Sequence, residues 1–576
     1  MAGVSPPARR LRAGIAAGAL LAVAACSSGA REPAPTTPTA PPTAAPSSVG
    51  AGDPAARAAE LVARLGDEDL VGQVLMPYAY GSSATRVSGG SAAGNRKLAG
   101  VDTPAQMVAK YRLGGLILVG FSADDPTAGT NKTTNVDRPP QVRDLTDGLQ
   151  TAARELPAGG APMLIATDQE FGVVTRIGSG VTTLPSAMAF GAAGDPAGTQ
   201  AAWGAAGAEL AAMGVNVDFA PVADVLGGGG SAVIGSRSYG SDPSLAAQQV
   251  AGAVRGLSGA GVAATLKHFP GHGHTTGDSH DSLPAVPGNL DQLTSRDLPP
   301  FAAGIAAGAD LVMSGHLDLR EVDPGTPATF SHRIVTDILR GQLKFTGVVV
   351  TDAMNMAPAM RWPPGEAAVR ALNAGNDLLL MPPDLPAARD GLLAGLRDGS
   401  LPRSRLVAAA TRVLTLRFKL GQRQQPALST LNSAAHAEAA AAVARRAVTL
   451  LRGSCGEPLV SGAVTVTAGK NWERPAAWLA EELRRAGVPV VRQGGAVVHL
   501  VGYRDDGGDL RGDARVTVAM DTPYVLASAR SPVLVATYSS ARASMAALAA
   551  VLAGRERPAG RSPVQVGNLP RTACAA

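Results

Sequence analysis

Between residues 65 and 385 the chain repeats one pattern: a short apolar run, a loop, then an Ala-rich amphipathic stretch. The apolar runs fall at 70–78, 113–120, 161–168, 215–225, 262–270, 309–316, 347–354 and 377–382. They are rich in Val, Ile and Leu and bounded by Gly, Pro or Asp, which is how strands buried on both faces read. Helices are predicted between most of them, at 138–155, 198–213, 244–258, 332–343 and 364–374. Most of these end near a glycine shortly before the next strand, as a C-cap does. Eight β-then-α units fit a (β/α)8 barrel better than an open sheet. The first unit is irregular, with a Gly/Ser/Ala-rich insertion at 81–100.

Beyond the eighth run the pattern changes. Residues 404–420 and 434–448 read as two helices joined by the polar stretch 421–433. Strands then alternate with helices: strands at 463–468, 488–491, 496–501, 516–519 and 533–537, helices at 474–486 and 541–553. The expectation is an α/β chain, with a barrel domain at 53–425 and a smaller layered sandwich domain at 426–576. The second part carries no Gly-rich phosphate loop.

The N-terminus places Arg9, Arg10 and Arg12 before an apolar run at 13–25 and Cys26. A charged segment followed by a short apolar one reads as a secretory signal. It is too short to remain as a membrane-spanning helix. Val23-Ala24-Ala25-Cys26 resembles a bacterial lipobox, whose resemblance implies cleavage after residue 25 and lipidation of Cys26. Residues 26–52 are mostly Ser, Thr, Pro, Ala and Gly and read as a tether. The protein is expected at the outer face of the cell membrane, in contact with it through the lipid anchor only. Two further cysteines, Cys455 and Cys574, suggest one disulfide in an exported protein, with two buried thiols as the alternative.

Composition narrows the partners. The 576 residues are 45% hydrophobic and 17% charged, which excludes collagen-like, wholly disordered and small disulfide-scaffold classes. A net charge of +5 over this length, with 3% aromatics, predicts no nucleic-acid partner. A monomer is expected.

Barrel enzymes carry their chemistry at the C-terminal ends of the strands. There the third run ends in Asp168, the fifth in Lys267-His268, the sixth in His316 and the seventh in Asp352. Of eight histidines, four fall at 268, 272, 274 and 280. His272-x-His274 resembles the metal-binding pair of barrel amidohydrolases, which His316 and Asp352 would complete. That pair normally ends the first strand, however, not the fifth. The other reading is an acid/base dyad. In Asp278-x-His280 the carboxylate can hold one ring nitrogen while the other donates and accepts a proton. On its own, a solvated loop histidine beside an aspartate reads the same way.

The rest of the chain sharpens this choice. The segment 267–280 resembles K-H-F/I-P-G-H-G-x-T-x-x-D-S-H of the glycoside hydrolase family 3 β-N-acetylhexosaminidases. Asp168-Gln169-Glu170 with Arg176 resembles D-Q-E-G-G-R-V-x-R. Arg237-Ser238-Tyr239-Gly240 with Asp242-Pro243 resembles R-S-F/Y-G-x-D-P. Thr351-Asp352-Ala353-Met354-Asn355-Met356 resembles S/T-D-x-L/M-x-M, and the stretch 216–222 looks like the family's fourth strand. The motifs stand in the family's order across roughly 55–420. The C-terminal part is similar, more loosely, to the family's sandwich domain through Thr449-Leu450-Leu451 and Thr522-Pro523-Tyr524.

The resemblance implies that Asp352 is the nucleophile, His280 the acid/base and Asp278 its support. It implies that Asp168, Arg176, Arg237, Lys267 and His268 bind the terminal sugar. For Asp168, Arg176 and Arg237 the competing reading is an ion-pair network at the barrel mouth. His272 and His274 are expected to shape the loop, and His316 to stand at or just behind the site. No cofactor and no metal are expected. The implied activity is exo-acting, retaining hydrolysis of terminal N-acetylglucosamine from peptidoglycan-derived fragments or related glycans. A histidine acid/base repels an anionic acceptor less than a carboxylate does, so phosphorolysis on the same site is an alternative. A catalytically silent cell-wall-binding lipoprotein is another. The sequence departs from the family at Phe171 and Val173, where Gly and Arg are usual, at His274, where an acidic residue is common, and at Asp281-Ser282.

Overall fold

The computed structural model describes residues 52–120, 133–228, 231, 233–275 and 277–574; the signal, tether and Cys26 lie outside them. Eight parallel strands close into a barrel: β1 (Leu75–Met76), β2 (Gly115–Ile117), β3 (Leu164–Thr167), β4 (Val217–Asp218), β5 (Ala263–Phe269), β6 (Leu311–Ser314), β7 (Val348–Thr351) and β8 (Leu379–Leu380). Strands β2 to β7 pair in chain order. Pairing of β8 with β1, a bridge from Val350 to Leu378, and the Ile117 N–H to Pro77 carbonyl bond close the circle. Helices follow the strands in the doubly periodic way the sequence predicts. Asp195, Asp242 and Asp384 each cap a helix with a proline in its first turn, at Pro196–Ala212, Pro243–Gly259 and Leu385–Asp398. These carboxylates accept the otherwise orphaned first N–H groups, and proline loses nothing at that position.

The first unit differs from the expectation. The run 70–78 is not one strand: its first half ends the helix Asp67–Gln73, and only Leu75–Met76 is extended. Three acidic residues in that helix's first turn favour helix, while an unbroken apolar run cannot mark where helix gives way to strand. The insertion at 81–100 holds a helix, Gly89–Ala99, started by Ser88 and stopped by Gly100 at φ 63°. Its glycine content hides it from propensity, although both caps are legible.

A second sheet follows, with strands β9 (Thr449–Arg452), β10 (Val464–Ala468), β11 (Ala496–Val501), β12 (Val516–Ala519) and β13 (Val533–Ala536). Its order is β9-β13-β12-β11-β10, parallel except for the edge strand β9. Residues 488–491, expected as a strand, make a single bridge from Val490 to Val464. Strand alternation gives the sheet two apolar faces. Val533 and Val535 face a cluster with helices Glu473–Arg485 and Arg542–Leu552. Leu534 and Ala536 face a cluster with Met188, Val222, Leu226 and Ile234 of the barrel. Barrel and sandwich therefore share one compact unit. Cys455 and Cys574 are joined, their Cα atoms 5.3 Å apart across 119 residues of sequence.

The N-terminal end of the barrel holds buried charge. Arg417 is 1% exposed and donates to the carbonyls of Pro162, Ala158 and Ala161. Burial without a carboxylate partner pulls its pKa down to about 10. Asp377, just before β8, is fully buried and takes Arg340 at 2.5 Å, Arg405 at 2.9 Å and Arg412 at 3.2 Å, plus the Val349 N–H at 3.0 Å. Removing one partner of such a group leaves uncompensated charge. Asp377→Ala is expected to lower the unfolding free energy by about 3 kcal/mol. The folded protein should keep its turnover, because this end is remote from the mouth. Chemical denaturation with a parallel activity assay checks both halves of that expectation.

Candidate active site

The short hairpin after β3 sets the first wall of the site. Its strands are Gln169–Phe171 and Val174–Thr175. Gln169 staples it: its side-chain oxygen accepts from the N–H groups of Arg176 and Ile177 at 3.1 and 3.0 Å, and its amide donates to the Ile177 carbonyl. With Gln169 turned away, Asp168 and Glu170 fall on the other side, as a two-residue period requires.

Glu170 is the centre of the charge network. Both arms of Arg237 reach its carboxylate, Nε at 2.7 Å and Nη2 at 2.9 Å, and Lys267 Nζ reaches it at 2.6 Å. Lys267 also donates to Asp168 at 2.8 Å, and Arg176 lies 3.5 Å from the other oxygen of Asp168. Burial opposes ionisation of Glu170, but the charges of Arg237 and Lys267 outweigh it and bring its pKa down to about 2. Burial likewise opposes the charge on Lys267, yet Asp168 and Glu170 raise its pKa. Arg176 is pulled down to about 9 by burial and by the charge of Arg237.

The R-S-Y-G-x-D-P stretch resolves into separate duties. Arg237 ends a 3-10 turn, Gly235–Arg237, and points into the site. The Ser238 hydroxyl donates to the Asp224 carbonyl at 2.6 Å. Tyr239 is buried edge-on to Phe190. Asp242 and Pro243 start the next helix.

The histidine cluster separates by partner. His268 Nδ1 meets Asp224 at 2.8 Å, and its Nε2 faces Arg237 Nη2 at 3.4 Å. His272 is enclosed, with Nδ1 on Thr275 at 2.6 Å and Nε2 on Ser279 at 3.0 Å. Burial, with the charge of His268, brings its pKa down to about 4. His274 turns the other way, to Asp297 at 2.8 Å, a carboxylate from a different segment. His316 is buried between Thr329 at 3.0 Å and the Ala353 carbonyl at 3.0 Å. His272, His274 and His316 therefore point to separate partners. Among the described residues no three His, Cys, Asp or Glu side chains gather as a metal site would require.

His280 is held by Asp278, whose Oδ1 meets ring Nδ1 at 2.6 Å and accepts the His280 backbone N–H at 2.9 Å. That leaves Nε2 as the nitrogen turned away from the carboxylate. Asp278 is half-buried, which opposes its charge, but the bonds from His280 bring its pKa below the usual range. Ser282 closes the turn by donating from its N–H and hydroxyl to the Asp278 carbonyl.

Asp352 follows β7. Its Oδ1 accepts the Ala353 N–H at 2.7 Å, and its own N–H donates to the Ser314 carbonyl at 2.9 Å. Burial raises the pKa, while His268, His316, His280 and the Ala353 N–H more than offset it. The group is thus held as a carboxylate.

Asp168, Arg176, Arg237, Lys267, His268, His280 and Asp352 line one cavity, with Ile117, Val233, Met313, Leu380 and Met381 among its apolar walls. Asp278 stands behind His280. The residues expected to bind the sugar and carry the chemistry thus meet at one mouth, and the ion-pair network that was the competing reading for Asp168, Arg176 and Arg237 is present as well, centred on Glu170.

Two residues escaped the sequence reading. Glu170 carried a signal, two positions after Asp168 in the same motif. Asp224 carried one too: it lies near the end of an apolar run, as Asp168 does, and holds the backbone N–H groups of His268 and His272 at 3.1 and 2.7 Å. Phe171, one of the departures, adopts φ 65°, in the left-handed region that favours glycine. Its ring is buried edge-on to Trp203, 5.7 Å between centroids, which offsets the strain.

Comparison with known proteins agrees with this geometry. Residues 70–416 match the Glycosyl hydrolase family 3 N terminal domain. β-Hexosaminidase A of Pseudoalteromonas piscicida is 33% identical over 392 residues, 63% of each chain, so the match spans less than two thirds of that relative. The β-hexosaminidase of Stenotrophomonas maltophilia is 43% identical over 249 residues, 42% of this chain and 71% of the relative. A family 3 β-N-acetylglucosaminidase structure from Paenibacillus sp. is 30% identical with a TM-score of 0.75, covering 87% of this chain and 99% of that one. The chain belongs to glycoside hydrolase family 3. Within that family it stands with the β-hexosaminidases.

The enclosed histidines set a pH dependence. An unfolded chain protonates histidine near pH ~6.5, whereas folded His272 takes a proton only near about 4. Between those values the unfolded state binds more protons, so stability falls as pH falls. Burial shifts His316 in the same direction. His272→Gln is expected to flatten the decline in unfolding free energy between pH ~6.5 and ~4.5. Denaturant titrations across that range measure it, and an unchanged slope would count against the enclosed, neutral His272.

Proposed function

We propose that this protein is an exo-acting, retaining β-N-acetylglucosaminidase that removes terminal N-acetylglucosamine from peptidoglycan-derived fragments or related glycans. The observation that carries the reading is the pairing, in one polar cavity, of the Asp352 carboxyl group with a carboxylate-held imidazole at His280. The named relatives supply the sugar class.

In this reading an Asp352 oxygen attacks the anomeric carbon while His280 Nε2 donates its proton to the departing oxygen. Asp278 holds Nδ1–H and steadies the charge while the ring is cationic. The neutral ring left behind takes a proton from water, and that water releases the sugar from Asp352. Asp168, Arg176, Arg237, Lys267 and His268 hold the sugar hydroxyls through directed donors and acceptors.

The N-terminal pattern adds a location to this proposal: export and anchoring through lipidated Cys26, at the face of the membrane where wall fragments are found. Among the described residues no helix is long and apolar enough to cross a membrane. The Cys455–Cys574 bridge fits an oxidising compartment.

A second reading draws on the same dyad. His280 brings no negative charge when neutral, and Lys267, Arg176 and Arg237 line the same cavity, so in this reading phosphate takes the place of water as acceptor.

Chromogenic and natural N-acetylglucosaminides test these readings. Asp352→Ala is expected to lose at least about 10³-fold in kcat, since in this reading Asp352 forms the covalent intermediate. His280→Ala should lose about 10²–10⁴-fold on glycosides with poor leaving groups and far less on activated aryl glycosides. Equal losses on both would remove His280 from the acid role. Product masses in phosphate buffer separate the acceptors: a sugar-1-phosphate supports phosphorolysis, free sugar alone supports hydrolysis. No turnover by the wild type on any substrate supports the silent wall-binding alternative.

A further inference from the structure

Every residue that lines the cavity comes from the barrel, yet the turn that presents Arg237 is also gripped from the second sheet. Ser236, just before Arg237, is 2% exposed, and its hydroxyl donates to the carboxylate of Asp521, 285 residues away in sequence. Asp521 lies just past β12 and is 8% exposed. The methyl of Thr522 sits so close to Gly235 that an added Cβ would come within 3.3 Å of it, and Gly235 has φ 44°. Ile234 shares an apolar cluster with Val501, Ala519 and Leu526. The turn is therefore held at one polar and two apolar points, from residues at or just beyond the C-terminal ends of β11 and β12.

Asp521 is a costly way to glue two layers together. A carboxylate taken out of water is offset only by the bonds it makes, and an apolar side chain would bind the layers more cheaply. Burial raises the pKa of Asp521, and the bonds from Ser236 and Thr522 pull it back. What the carboxylate adds over an apolar contact is direction. It fixes where Ser236 stands, and so where Arg237 leaves the turn. Arg237 must meet Glu170 with both arms at 2.7 and 2.9 Å, and displacements of ~1 Å at such sites cost as much as ~10²-fold in rate.

We propose that Asp521 is a positioning residue that sets Arg237 through Ser236, so that the second sheet forms part of the sugar-binding apparatus. The inference rests on the reading of Arg237 as a sugar-binding group. A purely structural Asp521 would cost stability alone and leave the kinetics of the folded protein unchanged.

The test compares Asp521→Ala, Asp521→Asn, Ser236→Ala and the double Ala variant in the full chain. Each is assayed for KM and kcat on a chromogenic N-acetylglucosaminide, with melting temperature and hydrogen exchange of residues 234–240 measured alongside. Asp521→Ala and Ser236→Ala should each raise KM about 5–10-fold and speed exchange in the turn, with the double variant no worse than either single one. Asp521→Asn, whose amide oxygen still accepts from Ser236, should stay within about twofold of wild type. Ser236→Ala keeps the test open should Asp521→Ala fail to fold. An unchanged KM in Ser236→Ala, additive losses in the double variant, or unchanged exchange in the turn would overturn the inference. Arg237→Ala separates the two claims: an unchanged KM there would sink the sugar-binding role of Arg237. The exchange measurement needs no turnover and would still decide whether Asp521 orders the turn.

Discussion

A carboxylate buried between two cations holds the mouth of this barrel together. Taking Glu170, Arg237 and Lys267 out of water costs several kcal/mol for each ion. The arrangement is tolerable only because every one of them is paired, at 2.6 to 2.9 Å. Three segments far apart in sequence are thereby locked: the hairpin after β3, the turn before Arg237 and the end of β5. Lys267 reaches from this knot to Asp168, which stays 19% exposed toward the cavity. The charges that would meet the substrate are thus fixed before it arrives, and little reorganisation remains to be made during the reaction.

The two ends of the barrel divide their labour along the same line. At the N-terminal end Asp377 gathers three arginines and Arg417 collects carbonyl oxygens. At the C-terminal end the charges surround a cavity. Within that cavity the two chemical groups sit on different supports. Asp352 is bonded into the strand ends through its own N–H and that of Ala353, whereas Asp278 and His280 ride on the loop after β5. In the proposed reaction the nucleophile must hold one line of attack, while the proton carrier serves first the leaving group and then water. The second sheet completes the enclosure by packing on the β4 loop.

Much of this was legible in the sequence because it rests on local signals. Apolar runs of strand length, aspartate-proline helix starts and polar residues at run ends place seven of the eight strands and the convergence of Asp168, Lys267, His268 and Asp352. What escaped was set by tertiary context. The run 70–78 changes from helix to strand without a change in hydrophobicity. Glu170 and Asp224 are acids whose partners lie 44 to 97 residues away, so neither shows its role until the barrel closes. Phe171 stands where glycine is usual and takes a glycine-like φ, a conflict visible only once Trp203 is seen beside it. The grip of Asp521 on Ser236 spans 285 residues of sequence and has no local signature.

The central claim is that Asp352 forms a covalent bond to the sugar. It is met most directly by intact-protein and peptide mass measurement after incubation with a fluorinated N-acetylglucosaminyl fluoride, which loads the enzyme quickly and releases it slowly. The account predicts a mass increase of one glycosyl unit on the peptide that contains Asp352, and none in Asp352→Ala. Turnover of ordinary substrates with no adduct, or an adduct on a different residue, would contradict it.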